Sequence, residues 1–140
     1  MAIHKQEYYE GAALHVLARK GVITSIRYDA PLFWINEKLF VLLKYCTKVR
    51  SPWGFTFTPD ERRVLVRKST EANIIIGLIC GADGVAAVPF DKYRTVAPDH
   101  ELSFRIACFR AYNEHYEVSG PKGTTGSKIA PAEWNRILDC

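Results

Sequence analysis

At 140 residues and 48% apolar composition, the chain is long enough for one domain with a real core and too short for two comfortable ones. A charged fraction of 24% and only 7 prolines argue against a disordered chain. No apolar run reaches the length of a membrane span, and the polar residues 1–6 lack the core of a signal peptide, so a cytoplasmic protein is expected.

Residues 7–20 read as a helix, because Ala12, Ala13, Leu14, Leu17 and Ala18 favour that state and Gly21 stands where a left-handed cap is wanted. Glu10 falls on the side of Ala13, Leu14 and Leu17, with Glu7 at its shoulder. A carboxylate there must be neutralised, hydrogen-bonded or near a rim. It is either an outer active-site group or a first-turn acid favoured by the helix dipole. Residues 22–28 form a β-branched strand. Two strands follow, 31–35 and 39–45, joined by the polar turn Asn36-Glu37-Lys38. Lys44 is the lone charge at the end of an apolar run, which predicts a buried stem and an ammonium looking for water or an anion.

Residues 46–57 begin as a loop with Lys48, Arg50 and a Ser-Pro-Trp-Gly turn and then become a short strand. Trp53 is either a stacking or docking aromatic or a side chain packed under that loop. Thr58 and Glu61 make a capping box across Pro59, so a helix starts there and runs to about Ser69, with Val64 and Leu65 inside. Arg63 and Arg67, four apart, would present paired guanidiniums to solvent or phosphate.

Residues 73–80 have the continuous apolar character of a central strand covered on both faces. A tight turn at 82–84 leads to a strand over 85–88, and 91–96 form a short helical turn before a seam at 97–99. Residues 102–109 alternate as a strand with which 112–118 can pair. The loop 120–126 holds Lys122 but lacks the glycine spacing and lysine placement of a phosphate-binding loop. Pro131 opens a short closing helix.

Between Lys44 and Lys68 lie seven basic and two acidic residues, a surplus of five in a chain whose total is +4. Such a segment suits a phosphate backbone, or is a solvated helix face. Cys46, Cys80, Cys108 and Cys140 stand at least 28 positions apart without metal-ligand spacing, which predicts free thiols and no metal. His4, His15, His100 and His115 form no constellation.

The helix bearing Glu10, the strand pair with Pro31-Leu32, and Leu42-Leu43-Lys44 on the next strand resemble the PD-(D/E)XK nucleases, of restriction-endonuclease-like fold. The resemblance covers residues 7–80. It implies an α/β domain over 1–140, a mixed central sheet flanked by helices in a three-layer arrangement, with a core at 7–97 and a β-rich C-terminal extension at 98–140. It aligns Glu10 with the helix glutamate, Pro31-Leu32 with Pro-Asp, and Leu42-Leu43-Lys44 with Glu-x-Lys. Both metal-binding carboxylates would then be leucines. Hard divalent ions need oxygen ligands, which leucines lack.

Three functions follow. The first is a catalytically degenerate nuclease fold, without cofactor, that binds nucleic acid, DNA foremost, or a partner subunit in DNA processing, mobile elements or defence. Its contacts would be Lys44, Lys48, Arg50, Trp53, Arg63 and Arg67. The second is a magnesium-dependent endonuclease with a migrated site at Glu7, Glu10, Asp29 and Lys44. The third is a structural or homo-oligomer-forming module without nucleic acid.

Overall fold

The computed structural model describes residues 2–139, so Cys140 lies outside the described residues. The chain opens with a helix, α1 (Lys5–Lys20), and an antiparallel meander of β1 (Ile26–Asp29), β2 (Leu32–Ile35) and β3 (Leu39–Cys46). The hairpin between β2 and β3 closes as expected, because Asn36 and Glu37 adopt φ of 55° and 54°, a left-handed pair matched to the twist of two strands. Asn36 also organises what precedes it. Its carboxamide oxygen accepts from the Thr24 amide and hydroxyl and the Ser25 amide, and its nitrogen donates to the Val22 carbonyl. That clasp holds 22–25 as a loop and confines the strand expected at 22–28 to β1. Gly21 is a second correction: it caps α1 through an amide bond to the Leu17 carbonyl, but in extended geometry with φ of −113°.

Beyond β3 the elements are β4 (Trp53–Phe57), α2 (Pro59–Lys68), β5 (Asn73–Cys80), β6 (Gly84–Pro89), α3 (Phe90–Val96), β7 (Phe104–Phe109), β8 (Glu117–Gly120), β9 (Gly123–Thr124) and a 3-10 helix at Pro131–Arg136. The fold is α/β. One sheet is mixed, with order β1-β2-β3-β5-β6 and a parallel pairing of β3 with β5. A second sheet, β4-β7-β8-β9, is antiparallel. The predicted capping box starts α2: the Thr58 hydroxyl accepts from the Glu61 amide at 3.2 Å while Glu61 accepts from the Thr58 amide at 3.0 Å.

Strand alternation sorts the core into two layers. Leu39, Val41 and Leu43 of β3 face Ala13 and Leu17 of α1 together with Trp134. Trp134 lies over Gly77, where a Cβ would come within 3.0 Å of its ring, and its indole donates to the Ala13 carbonyl at 3.0 Å. On the opposite face Phe40 and Leu42 pack with Leu65 of α2, Tyr93 of α3 and the inner side of the second sheet. β5 is covered on both faces, as its composition predicts.

The 98–140 segment is β-rich, but it is no appendage. β7 pairs with β4 along the whole of β4, so residues on both sides of position 97 build one sheet over one core. Two close approaches seat it. Gly120 lies where a Cβ would meet the Val96 carbonyl at 2.8 Å, and the Lys122 amide donates to that same carbonyl. Tyr116 donates its hydroxyl to Asp83 at 2.6 Å, over a Gly84 with no room for a side chain, and Arg110 binds the same carboxylate oxygen at 2.9 Å. Among the described residues, no helix is long and apolar enough to cross a membrane.

Candidate functional site

The β2 and β3 register sets Leu32 directly opposite Leu42, and both side chains are 1% exposed in the layer under α2 and the second sheet. Lys44, two residues beyond Leu42, shares that face. The anion its ammonium finds is the protein's own: both carboxylate oxygens of Glu61 lie at 2.9 Å, with the ring of Phe57 at 5.5 Å. Each partner of this pair is 18% exposed. Glu61 therefore serves the helix cap and the lysine together. The sequence shows only its capping role.

The other acids of the expected migrated site are differently engaged. Glu7 accepts from the His4 amide at the start of α1. Glu10 is half-buried on α1 and accepts from the Gln6 carboxamide at 2.7 Å. Burial pushes its carboxyl above the ordinary range, and the Gln6 hydrogen bond and then the Lys44 charge partly hold it down. Asp29, at the end of β1, is exposed and lies 4.0 Å from Lys68, whose ammonium stands over the ring of Phe40. Among the described residues, no group of three or more His, Cys, Asp or Glu is arranged to hold a metal ion.

The raised Glu10 carboxyl has a signed consequence. The folded chain takes up a proton there more readily than the unfolded chain, so this residue's contribution to stability falls as pH rises from the ordinary glutamate range through the raised value. Glu10→Gln, which keeps an acceptor for Gln6, is expected to stabilise the protein at neutral pH and to lose that advantage in acid. Thermal melts of both proteins across pH 3 to 8, approximately the span of the carboxylate titration, would check it.

The basic segment divides in the structure. Trp53 is 2% exposed and its indole donates to the Lys48 carbonyl at 3.0 Å, so it is a core residue and leaves the candidate surface. Lys48 and Arg50 stay exposed on the 47–52 loop. Arg63 pairs with Asp60 one turn back on α2, while Arg67 projects into solvent.

Between α2 and α3 runs a groove of about 740 Å³ whose lining includes Arg62, Arg63, Arg67, Arg94 and Lys122. Lys48 and Arg50 do not line it. Arg62 is held by the Pro98 and Leu102 carbonyls over the ring of Phe104, and Arg94 stands over Phe90.

No protein-family model matches the chain, and neither a curated protein nor a solved structure is similar to it at a significant level.

Sequence reasoning missed Arg62, Arg94 and Lys122 as one cluster, because they come from two helices and a hairpin far apart in the chain. The only advance signal was the arginine content of α2. Lys122 itself forms an ion pair with Asp99 at 2.9 Å, and 120–123 is the tight turn between β8 and β9 rather than a nucleotide cradle. Cys46, Cys80 and Cys108 are free thiols, and Cys108 together with burial pushes the Cys80 thiol upward.

Proposed function

We propose that the protein binds nucleic acid through α2 and the surfaces beside it and does not cut it, as a degenerate relative of the PD-(D/E)XK nucleases. The order of the elements in the mixed sheet supports the kinship: a helix, three antiparallel strands, then, after β4 has left for the second sheet, a helix leading to a strand parallel to the third. The observation that carries the reading is the face of β2 and β3. Where the resemblance expects two metal-binding carboxylates, Leu32 and Leu42 meet side by side in a sealed apolar layer, and Lys44 is neutralised by Glu61. Leucine side chains offer an ion no oxygen, so Leu32 and Leu42 could not hold one there to generate hydroxide. What remains outside is basic, with Lys48, Arg50, Arg63 and Arg67 exposed or partly exposed. The setting in DNA processing, mobile elements or defence is carried by the resemblance alone.

The test has two arms. Labelled duplex and single-stranded DNA and RNA are titrated at rising salt, and the same substrates are incubated with magnesium and with manganese. Binding should weaken with a log-log slope near −0.9 per neutralised phosphate on duplex DNA, roughly. No cleavage should appear. Cleavage abolished by Glu10→Ala or Asp29→Ala would establish a migrated active site instead. An absence of binding at low salt would leave a module that works through protein contacts, for which the bare edge strand β1, with exposed Ile26 and Tyr28, is the available surface.

A further inference from the structure

Resting on the nucleic-acid reading, we infer that the groove between α2 and α3 receives a single unpaired strand, and that Arg94 on α3 is one of its phosphate contacts. The charge of the groove is the first argument. Five cationic side chains line it against the two carboxylates of Asp99 and Glu101. Among the described residues, Arg63 and Lys122 have carboxylate partners, in Asp60 and Asp99. Arg62 is held by neutral carbonyls, which position a guanidinium without cancelling its charge. Arg67 and Arg94 project from opposite walls, both exposed. A polyanion threading between them would meet positive charge on both sides.

The second argument is the lining between the charges. Val66 is 62% exposed in this arginine face and the half-buried Phe90 also lines the groove, backed from the core by the 3% exposed Tyr93 with ring centroids 5.7 Å apart. Free phosphate or a purely ionic ligand would gain nothing from that apolar surface. A strand whose bases are unpaired has both phosphates and flat apolar faces to offer, which is the combination that single-strand sites use. The apolar part of the lining favours a single strand over a duplex, whose bases are already stacked on one another and hidden.

The third argument is rigidity. The β8 and β9 hairpin is locked onto the end of α3 by the Lys122 amide bond to Val96 and the close approach at Gly120, so one wall is fixed before any ligand arrives. A preformed wall lowers the ordering cost of binding.

The experiment titrates the full chain with fluorescein-labelled oligothymidylate, with the same strand annealed to its complement, and with unlabelled polyglutamate as competitor. Variants are Arg94→Glu, the milder Arg94→Gln, Arg67→Glu, Lys48→Glu on the 47–52 loop outside the groove, and Arg19→Glu on α1 as the control, each first shown by circular dichroism to be folded. The single strand should bind more tightly than the duplex. Arg94→Glu and Arg67→Glu should each weaken it by roughly tenfold, Arg94→Gln should reduce the salt slope by about one phosphate contact, and Lys48→Glu should weaken it less than Arg94→Glu does, while Arg19→Glu changes little. Duplex preference, with the loss carried by Lys48→Glu and none by Arg94→Glu, overturns the inference and leaves the nucleic-acid reading standing. Competition by polyglutamate as strong as by unlabelled oligothymidylate overturns it in favour of an acidic peptide. No binding of either nucleic acid removes both.

Discussion

Trp53→Ala is expected to cost about 3–5 kcal/mol in stability and to leave the nucleic-acid affinity of the remaining folded protein unchanged. The indole is fully enclosed at the start of β4, edge-on to Tyr116 with centroids 6.3 Å apart, and it ties the 47–52 loop to the core through the Lys48 carbonyl. Alanine would leave a large void and strip that carbonyl of its donor, two losses that reinforce each other. Trp53→Phe separates them, because it fills most of the volume without donating; about 1–3 kcal/mol is expected for it. Denaturant unfolding followed by circular dichroism measures both. If Trp53→Ala instead kept wild-type stability and lost binding, the residue would be a contact after all.

The second large effect concerns the Lys44 and Glu61 pair. Glu61→Leu removes the carboxylate half of the capping box of α2 and strands an ammonium that is mostly withdrawn from water. A cost of about 2–4 kcal/mol is expected, below the range for fully buried pairs because some solvent reaches this one. Lys44→Met should be milder, about 1–2 kcal/mol, since Glu61 keeps its bond to the Thr58 amide and the methionine stem still packs over Phe57. The double variant should recover part of the difference, with a coupling of about 1–3 kcal/mol in a double-mutant cycle. The same proteins report on function. Lys44→Met should leave oligonucleotide affinity intact, because that charge is already satisfied within the fold; a loss would return Lys44 to the binding surface.

How much of this was legible beforehand follows from the range over which each signal acts. The β2 and β3 hairpin, the capping box of α2 and the apolar β5 are written in neighbouring residues, and the structure has all three. Burial of Trp53 is a tertiary outcome. A tryptophan in a Ser-Pro-Trp-Gly turn looks the same whether the next strand joins the first sheet or, as here, leaves it to start another. The residues 22–25 scan as a strand because their β-branching is visible and the reach of Asn36 across at least 11 positions is not. Glu61 was read for its local duty and so missed as the partner of Lys44, 17 positions away. The groove could not be read at all, since Arg67, Arg94 and Lys122 come together only after the second sheet has formed.

The indole of Trp134 and the carbonyl of Ala13 are separated by 121 positions. During synthesis α1 must therefore wait for residues near 134 before its inner side is fully shielded. Until then Leu17 and the β3 side chains beneath it stay partly open to water or to other nascent chains, and Trp134 and Leu138 are the side chains that shut them in.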